Sequence, residues 1–264
     1  MSSLSCRVAT AQRELDDALR VRYQVFGEEL RMLGPKRPRA PREADCFDTL
    51  RTTAHVVVYA AGEPVATVRL LTPNAEVAAF ADTVVGLDIE KKLDLSRLVA
   101  PGRVFAETTR YCAIQGSPRK AVLKLQAGLY RASLERGVTH WIAAANMETD
   151  SQEEADLYYL AAARRGWVTD AFRVRTRDFP PPPAEPLAPR LTPEQRARAR
   201  QGHLKALRMP RIVSLFAEKL GARFIAPPHF DPTFNRFTVP LVAALEAIPP
   251  ATLRLFASLD AEAA

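Results

Sequence analysis

The chain has 264 residues, of which 47% are hydrophobic and 25% are charged, a composition typical of a globular protein with one large domain or one domain and an appendage. No window approaches the roughly 18 apolar residues that a membrane span needs, and the N-terminus has no apolar export signal. Cys6, Cys46 and Cys112 lack CxxC spacing, which argues against disulfides and structural zinc. We therefore expect a cytoplasmic protein, with peripheral contact to the inner membrane left open.

The balance of charge is basic. The formal net charge is +7, and basic residues cluster at 35–42 and 190–208. A basic surface attracts nucleic acid, anionic lipid or an acidic protein. No RNP, zinc-finger or Gly-rich RNA-binding signature is present, so DNA is not an expected partner. The two clusters are either solvated surface or docking sites for an acidic carrier protein or an anionic membrane.

Helical and strand patterns alternate over residues 1–178. Apolar periodicity and turn signals predict helices and strands in this order: helix 9–26, strand 55–59, strand 65–71, strand 103–113, helix 119–136, strand 139–145, helix 152–166 and strand 168–175. Ser151 and Glu154 have the spacing of a capping box at the start of helix 152–166. This order predicts an α/β fold with a mixed central sheet flanked by helices.

The C-terminal third differs from the rest of the chain in its sequence pattern, since it begins with a run of prolines. Residues 179–190 form a proline run that fits neither a helix nor a strand ladder, so we expect a linker or surface loop. Thr192, Pro193 and Glu194 are typical of a helix start. A further helix is predicted over 211–220, ending before Gly221. We therefore expect residues 191–264 to be a helical extension packed on a core of residues 1–178.

Six charged residues lie where amphipathic patterns do not require them, and they are Arg22, Asp45, Asp48, Arg69, Glu107 and Arg110. Glu107 and Arg110 are three positions apart on one predicted strand, which places them on opposite sides of its pleat. Each of the six could equally be a surface ion pair, and periodicity alone does not show that they meet.

Four segments in order, RYQVF, DCFD, VRLL and ETTR, resemble the acyl-homoserine lactone (autoinducer) synthases. The signature of that family is an R-x-x-x-F helix, a D-x-F-D loop, a V-R-L strand and an E-x-x-R strand. The later Arg165-Gly166-Trp167 is similar to the family's R-x-G-W-type segment. The resemblance spans roughly residues 15–175 and implies a GNAT-like fold that binds an acylated carrier protein and acylates an amine.

The chain departs from this family in two respects. Residues 29–33, ELRML, lack the tryptophan that autoinducer synthases place in the amine pocket, and the chain extends beyond their usual end. The tail, LFAEKLGARFIAPPHFDPTFNRFTVPLV, instead resembles bacterial ornithine-lipid acyltransferases and long-chain N-acyl amino acid synthases, which carry a segment like LGAR-x-x-x-x-P-x-x-D-x-x-F. ETTRYC also resembles their E-x-x-R-S-C strand. The tail therefore favours an N-acyl amino acid product over a homoserine lactone.

The resemblance implies that Arg22, Arg69 and Arg110 pair with Asp45, Asp48 and Glu107. Because an ammonium group must lose a proton before it attacks a thioester, a carboxylate within reach can act as the base. We assign this role to Glu107, and we expect Asp45 or Asp48 to orient the amine. Replacing Glu107 or Arg69 by alanine should then abolish acyl transfer.

The acyl donor needs backbone N–H groups for its oxyanion and for its phosphate. Such groups are expected at the end of strand 103–113 and at the start of helix 119–136, a segment that contains Gln115, Gly116, Ser117, Arg119 and Lys120. The expected donor is the phosphopantetheine thioester of an acyl carrier protein, with acyl-CoA as an alternative, and no bound cofactor or metal is expected. An ordinary loop and helix cap would explain this segment equally well.

Three hypotheses for function remain open. The first is an N-acyltransferase that makes an N-acyl amino acid, and the second is a true autoinducer synthase. The third is a non-catalytic GNAT-fold protein that binds acyl carriers or nucleic acid. The presence of Glu107 with all three arginines weighs against the third, since a binding protein needs no base.

Overall fold

The computed structural model describes residues 4–33, 40–172, 174–177, 181–182 and 189–261. Its strands are β1 (Leu4–Val8), β2 (Thr53–Ala60), β3 (Glu63–Leu71), β4 (Leu93–Asp94), β5 (Phe105–Ala113), β6 (His140–Asn146), β7 (Arg175–Thr176), β8 (Arg223–Phe224), β9 (His229–Asp231) and β10 (Arg236–Ala244). Its α-helices are α1 (Gln12–Arg22), α2 (Ala75–Ala81), α3 (Arg119–Leu134), α4 (Gln152–Arg164), α5 (Pro193–Arg200), α6 (Arg211–Ser214) and α7 (Pro250–Ala261). Two π-helical turns, Tyr23–Glu29 and Leu215–Lys219, continue α1 and α6.

The chain folds as two compact units. Unit 1 contains Met1–Asp88, Gly102–Trp141 and Pro249–Ala264, and unit 2 contains Ile89–Pro101 and Ile142–Ile248. This division differs from the predicted boundaries at 178 and 191. No helix in the described part of the chain is long and apolar enough to cross a membrane.

Unit 1 is built on an antiparallel sheet in the order β1-β2-β3-β5. Every interior residue of β2 is buried, because helices cover both of its faces. α3 packs against β1, β2 and β3, whereas α1 packs against β2 and β3. The last helix of the chain, α7, returns to this unit and packs against α3. The core of unit 1 therefore holds residues from both ends of the chain.

Unit 2 has its own strands and helices. β10 lies between β6 and β8, and its first residues also pair with β9 in an antiparallel register. β4 pairs with β7, and a parallel bridge joins Val168 to Phe224. The Ser151 side chain accepts a hydrogen bond from the Glu154 amide, so the predicted cap of α4 is confirmed.

Most of the predicted elements are present with ends shifted by a few residues. Segment 168–175 is an exception, because among its described residues, which exclude 173, only Val168 and Arg175 pair as strands, through a single bridge and through β7. Apolar alternation stops at Thr169 and Asp170, so the segment has no continuous face to bury. The predicted strand over this range is therefore wrong.

The residues after 191 are not solely helical, which corrects the expected helical extension. The start of α5 is confirmed, since Thr192 caps it and Pro193 is its first residue. However, β8, β9 and β10 also lie in this region and belong to the sheet of unit 2. Pro240 obscured the strand pattern of β10, because proline cannot donate to a ladder. Its carbonyl instead accepts a hydrogen bond from Ile225.

Two segments singled out from the sequence fall partly beyond the described residues. Most of the proline run 179–190 does so, as does most of the basic stretch 35–42.

Candidate active site

Arg22 is a fully buried cation of unit 1. It is the last residue of α1 and is 0% exposed. Its Nη1 lies 2.6 Å from Oδ1 of Asp48, its Nη2 lies 3.2 Å from Oδ2 of the same residue, and its Nε donates to Glu43. A fork-shaped guanidinium that binds two carboxylates in this way is satisfied without water.

The acidic loop 43–48 is held in place by its own backbone. The Glu43 amide donates to the Leu19 carbonyl of α1, which attaches the loop to that helix. The Asp45 amide donates to the Asp48 carboxylate at 2.7 Å, and Asp45 Oδ1 accepts from the Phe47 amide at 2.9 Å. Asx turns of this kind are favoured by aspartate. The loop therefore presents its carboxylates in fixed positions.

Arg69 joins the two aspartates from the sheet side. It is 0% exposed on β3, and its Nη1 lies 2.5 Å from Asp45 Oδ1 and 2.8 Å from Asp48 Oδ1. Its Nη2 lies 3.8 Å from Asp88 Oδ2. Asp48 thus bridges Arg22 and Arg69.

Arg110 reaches the same carboxylates through a bulge in β5. Thr67 pairs with Cys112 and Arg69 pairs with Thr109, so a single residue of β3 faces both Arg110 and Tyr111. Arg110 takes a left-handed φ of 56°, which is uncommon for a residue other than glycine. Its Nε lies 3.0 Å from Glu43, and its Nη2 lies 2.9 Å from Asp45. We predicted the side of the strand on which Arg110 lies from the regular alternation of side chains. The bulge interrupts this alternation at Arg110.

The six side chains form what we call the arginine–carboxylate cluster, composed of Arg22, Arg69, Arg110, Glu43, Asp45 and Asp48. Glu43, at the end of a basic loop, was not among the residues predicted from the sequence. The pattern that could have indicated it is its position two residues before Asp45 and five residues before Asp48. Asp88 was also missed, and no sequence pattern marks it.

The arginines keep the two aspartates ionised. Burial raises the pKa of Asp48, but Arg22 and Arg69 outweigh it and lower that pKa to about 2. Burial also opposes ionisation of Asp45, and Arg69 and Arg110 still lower its pKa. The Asp45 side chain is 26% exposed, whereas that of Asp48 is 2% exposed. Asp45 is therefore the aspartate that a ligand can reach.

His55 supports the acidic loop. Its Nε2 lies 3.0 Å from the Asp48 carbonyl oxygen, and burial lowers its pKa. A neutral imidazole in contact with that carbonyl donates the hydrogen bond from Nε2. His55 therefore has a structural role at the end of this loop.

Glu107 lies on β5 opposite Leu71 and is 5% exposed. Directly opposed residues of an antiparallel pair point to the same side of the sheet. Thr109, two residues further along β5, is the partner of Arg69, so Glu107 projects from the face that carries Arg69. Its role as the base stays a prediction.

Residues 115–120 are the segment expected to bind the acyl donor, which we call the donor segment. It makes a contact with a carboxylate that the sequence did not indicate. Both oxygens of Glu29 lie 3.1 Å from the Gln115 amide nitrogen. Glu29 ends the π-helical turn that follows α1. Gly116 has a left-handed φ of 83°, the Ser117 hydroxyl donates to the Val65 carbonyl, and α3 begins at Arg119 with Lys120 after it. The Gln115 amide therefore already binds a carboxylate of the chain itself.

Residues 21–126 match the family model described as an acetyltransferase (GNAT) domain. The matched range contains every member of the arginine–carboxylate cluster.

A sequence relative is the L-ornithine N(alpha)-acyltransferase of Rhizobium meliloti (strain 1021), which is 26% identical over 202 residues. The match covers 70% of this chain and 66% of the relative, so the chain spans just under two thirds of the relative's length.

Two solved structures share the fold over most of their length. The N-acyl amino acid synthase FeeM from uncultured soil microbes has a TM-score of 0.51 at 12% identity, covering 94% of this chain and 93% of its own. The CoA-dependent acyl-homoserine lactone synthase BjaI has a TM-score of 0.51 at 14% identity, and the match covers 98% of this chain and 90% of the BjaI chain. At these identities the likeness shows the fold alone.

Proposed function

We propose, from a GNAT acyltransferase fold that carries a buried arginine–carboxylate cluster, that the chain is an N-acyltransferase. It moves a fatty acyl group from a carrier thioester to the amine of a small amino-acid-like acceptor, giving an N-acyl amino acid. The observation that carries the proposal is the cluster itself, in which three arginines hold the side chains of Glu43, Asp45 and Asp48 in fixed positions.

The cluster suits a cationic acceptor. The three arginines are balanced by Glu43, Asp45 and Asp48, and Asp88 adds a further carboxylate beside Arg69. A site with an excess of negative charge attracts an ammonium group. Asp45 combines a lowered pKa with partial exposure, so in this proposal it receives the amine. Asp48 holds Arg22 and Arg69 in place.

Glu107 takes the proton that the ammonium group must lose. The free amine then attacks the thioester carbonyl carbon, a C–N bond forms and the C–S bond breaks. The nitrogen loses its second proton to become an amide, and the departing thiolate takes up a proton and leaves as the thiol. A positioned carboxylate contributes about 100-fold or more to such a step. The position of Glu107 on the Arg69 face of β5 supports this assignment.

The donor segment needs one rearrangement in this scheme. The Gln115 amide can bind the oxyanion or phosphate of the donor only when the Glu29 carboxylate has moved away. Acyl carrier protein is the preferred donor because the chain lacks the Gly-x-Gly of most acetyl-CoA enzymes, and acyl-CoA is the alternative. The sequence relative acts on ornithine by name, which supports an amino-acid acceptor.

The proposal is tested by incubating the purified chain with acyl-carrier-protein or acyl-CoA donors and a panel of amino acids. We expect mass spectrometry to detect an N-acyl amino acid. Glu107→Gln should lower kcat by about 100-fold or more with an unchanged melting temperature. Glu63→Gln, at an exposed position on β3, is the matched control and should retain activity. Absence of thioester consumption with every acceptor would overturn the proposal.

The autoinducer synthase alternative rests on the likeness to BjaI, which matches the fold as well as FeeM does. The same assay with S-adenosylmethionine as the amine separates the two functions. An acyl-homoserine lactone product, with no N-acyl amino acid, would establish the alternative.

A further inference from the structure

Unit 2 contains a basic cavity that the proposed acyl transfer does not use. Its volume is about 460 Å³, which lies within the range of small-molecule sites. Arg198 of α5, Arg208 and the first residue of α6, Arg211, line it, together with Arg190 and His203. No aspartate or glutamate is among its lining residues. Leu191, Leu207 and Met209 are its apolar lining residues.

The nearby acids do not neutralise this cavity. Glu148 lies 2.7 Å from Arg190 and also accepts from the Arg211 amide, and Glu153 pairs with Arg200 outside the cavity. Within the described part of the chain, no carboxylate lies within 4.0 Å of the guanidinium groups of Arg198, Arg208 or Arg211. The arginines that line the cavity therefore outnumber the nearby carboxylates of Glu148 and Glu154, and its charge is positive.

The walls of the cavity are held by buried hydrogen bonds. Glu154, which is 0% exposed, accepts from the Arg190 amide at 2.8 Å and from the Leu191 amide at 2.9 Å. At Leu207, another lining residue, Arg165 Nη2 donates to the backbone carbonyl at 2.7 Å. The arginines of the cavity thus project from backbone that is fixed by these hydrogen bonds.

We propose that this cavity binds a phosphate monoester that carries a small apolar group. A dianionic phosphate offsets three arginines better than a single carboxylate does, and guanidinium forks match its oxygens. Leu191, Leu207 and Met209 then cover the apolar group. The ester is either a soluble metabolite or a lipid headgroup, since both present the same chemistry.

The test is isothermal titration of the full chain with hexyl phosphate and with inorganic phosphate. We expect hexyl phosphate to bind more tightly than inorganic phosphate. Arg198→Ala/Arg208→Ala should weaken hexyl phosphate binding about tenfold or more, with an unchanged melting temperature because both side chains are exposed. Arg51→Ala/Arg97→Ala removes two exposed arginines elsewhere and should leave the affinity unchanged.

A second arm separates the two sources by sedimentation with phosphatidylcholine vesicles, with and without phosphatidic acid. Binding to the phosphatidic acid vesicles that the cavity variant loses would identify a lipid headgroup. Hexyl phosphate binding without vesicle binding would identify a soluble ester.

The proposal fails if neither probe binds, or if the cavity variant binds as the wild type does. It fails if Arg51→Ala/Arg97→Ala weakens binding equally. Loss of binding through Arg119→Ala would place the ligand at the start of α3 and overturn the proposal. An effect of the cavity variant on acyl carrier protein binding alone would also overturn it in favour of a protein-docking surface.

Discussion

At the scale of single residues, Asp48 is central because one carboxylate accepts from two fully buried guanidinium groups. Arg22 and Arg69 are both 0% exposed, so water does not solvate either guanidinium group. Two buried cations without their shared anion are strongly unfavourable, even where the complete set contributes little net stability. The cluster is therefore most sensitive to removal of one member.

Asp48→Asn keeps the shape of the side chain and removes its charge. We expect a loss of about 3 to 5 kcal/mol in the free energy of unfolding, measured by urea titration, because Arg22 and Arg69 lose their common partner. Glu153→Gln is the control, since Glu153 pairs with Arg200 at the surface, and it should cost at most about 1 kcal/mol. Equal losses in both variants would contradict the special role of Asp48.

His229 gives unit 2 a dependence on pH. Burial, with a smaller contribution from Lys92, lowers its pKa from 6.5 to about 4, although Asp231 opposes the shift. The unfolded chain therefore binds a proton between pH 6.5 and about 4 that the folded chain does not. The free energy of unfolding should fall by about 3 kcal/mol as the pH decreases through this window.

Urea titrations across the window measure this effect. His229→Asn should flatten the dependence of the free energy of unfolding on pH. His203→Asn, at an exposed position, should show the same dependence as the wild type. If the slope is unchanged in His229→Asn, another group is responsible.

At the scale of elements, α3 lies unusually close to the sheet of unit 1. A Cβ at Gly128 would lie 2.3 Å from Cys6 Sγ and 3.1 Å from a Val56 methyl carbon. Glycine in a helix interior normally costs about 1 kcal/mol relative to alanine. Here it permits the close approach of α3 to β1 and β2.

Gly128→Ala should therefore destabilise the protein by about 1 to 3 kcal/mol, against its helix propensity, because of overpacking. Adding Cys6→Ala removes the nearest atom, so the double variant should lose less than the sum of the two single variants. Thermal or urea unfolding of the four proteins of the cycle measures this coupling. A stabilising Gly128→Ala would show that the helix can shift.

At the scale of the whole molecule, unit 1 is assembled from three separate stretches of chain, the last of which is α7. Phe256 of α7 is 3% exposed, and its ring centroid lies 5.8 Å from that of Tyr130. Lys124 of α3 donates to the Leu259 carbonyl at 3.1 Å. The final helix thus completes a core that begins with the first strand.

Phe256→Ala should cost about 3 to 5 kcal/mol in the free energy of unfolding, through loss of apolar contacts and creation of a cavity. Leu255→Ala, at a neighbouring position that is 38% exposed, should change it by about 0.5 kcal/mol or less. Hydrogen exchange in α3 should accelerate in the first variant only. Similar behaviour of both variants would mean that α7 contributes little to the core.

Helices and strands whose side chains repeat with a local period could be predicted from the sequence alone. α3, α4, β2 and β3 were recognisable because burial of one face or of a whole strand leaves a pattern in consecutive residues. The caps at Ser151 and Thr192 were also local, since each involves residues three positions apart. The motifs around Arg22, Asp45, Arg69 and Glu107 marked these residues as candidates for chemistry, and the catalytic roles assigned to them stay predictions.

Which of these residues contact one another depends on the tertiary structure. Arg110 reaches Glu43 across 67 positions of sequence because a bulge turns its side chain, and no local period encodes that turn. The strands β8 to β10 form in a proline-containing tail because they have partners to pair with. The return of α7 to unit 1 is decided in the same way. Contacts between residues far apart in the chain depend on the packing of whole elements, which consecutive residues do not specify.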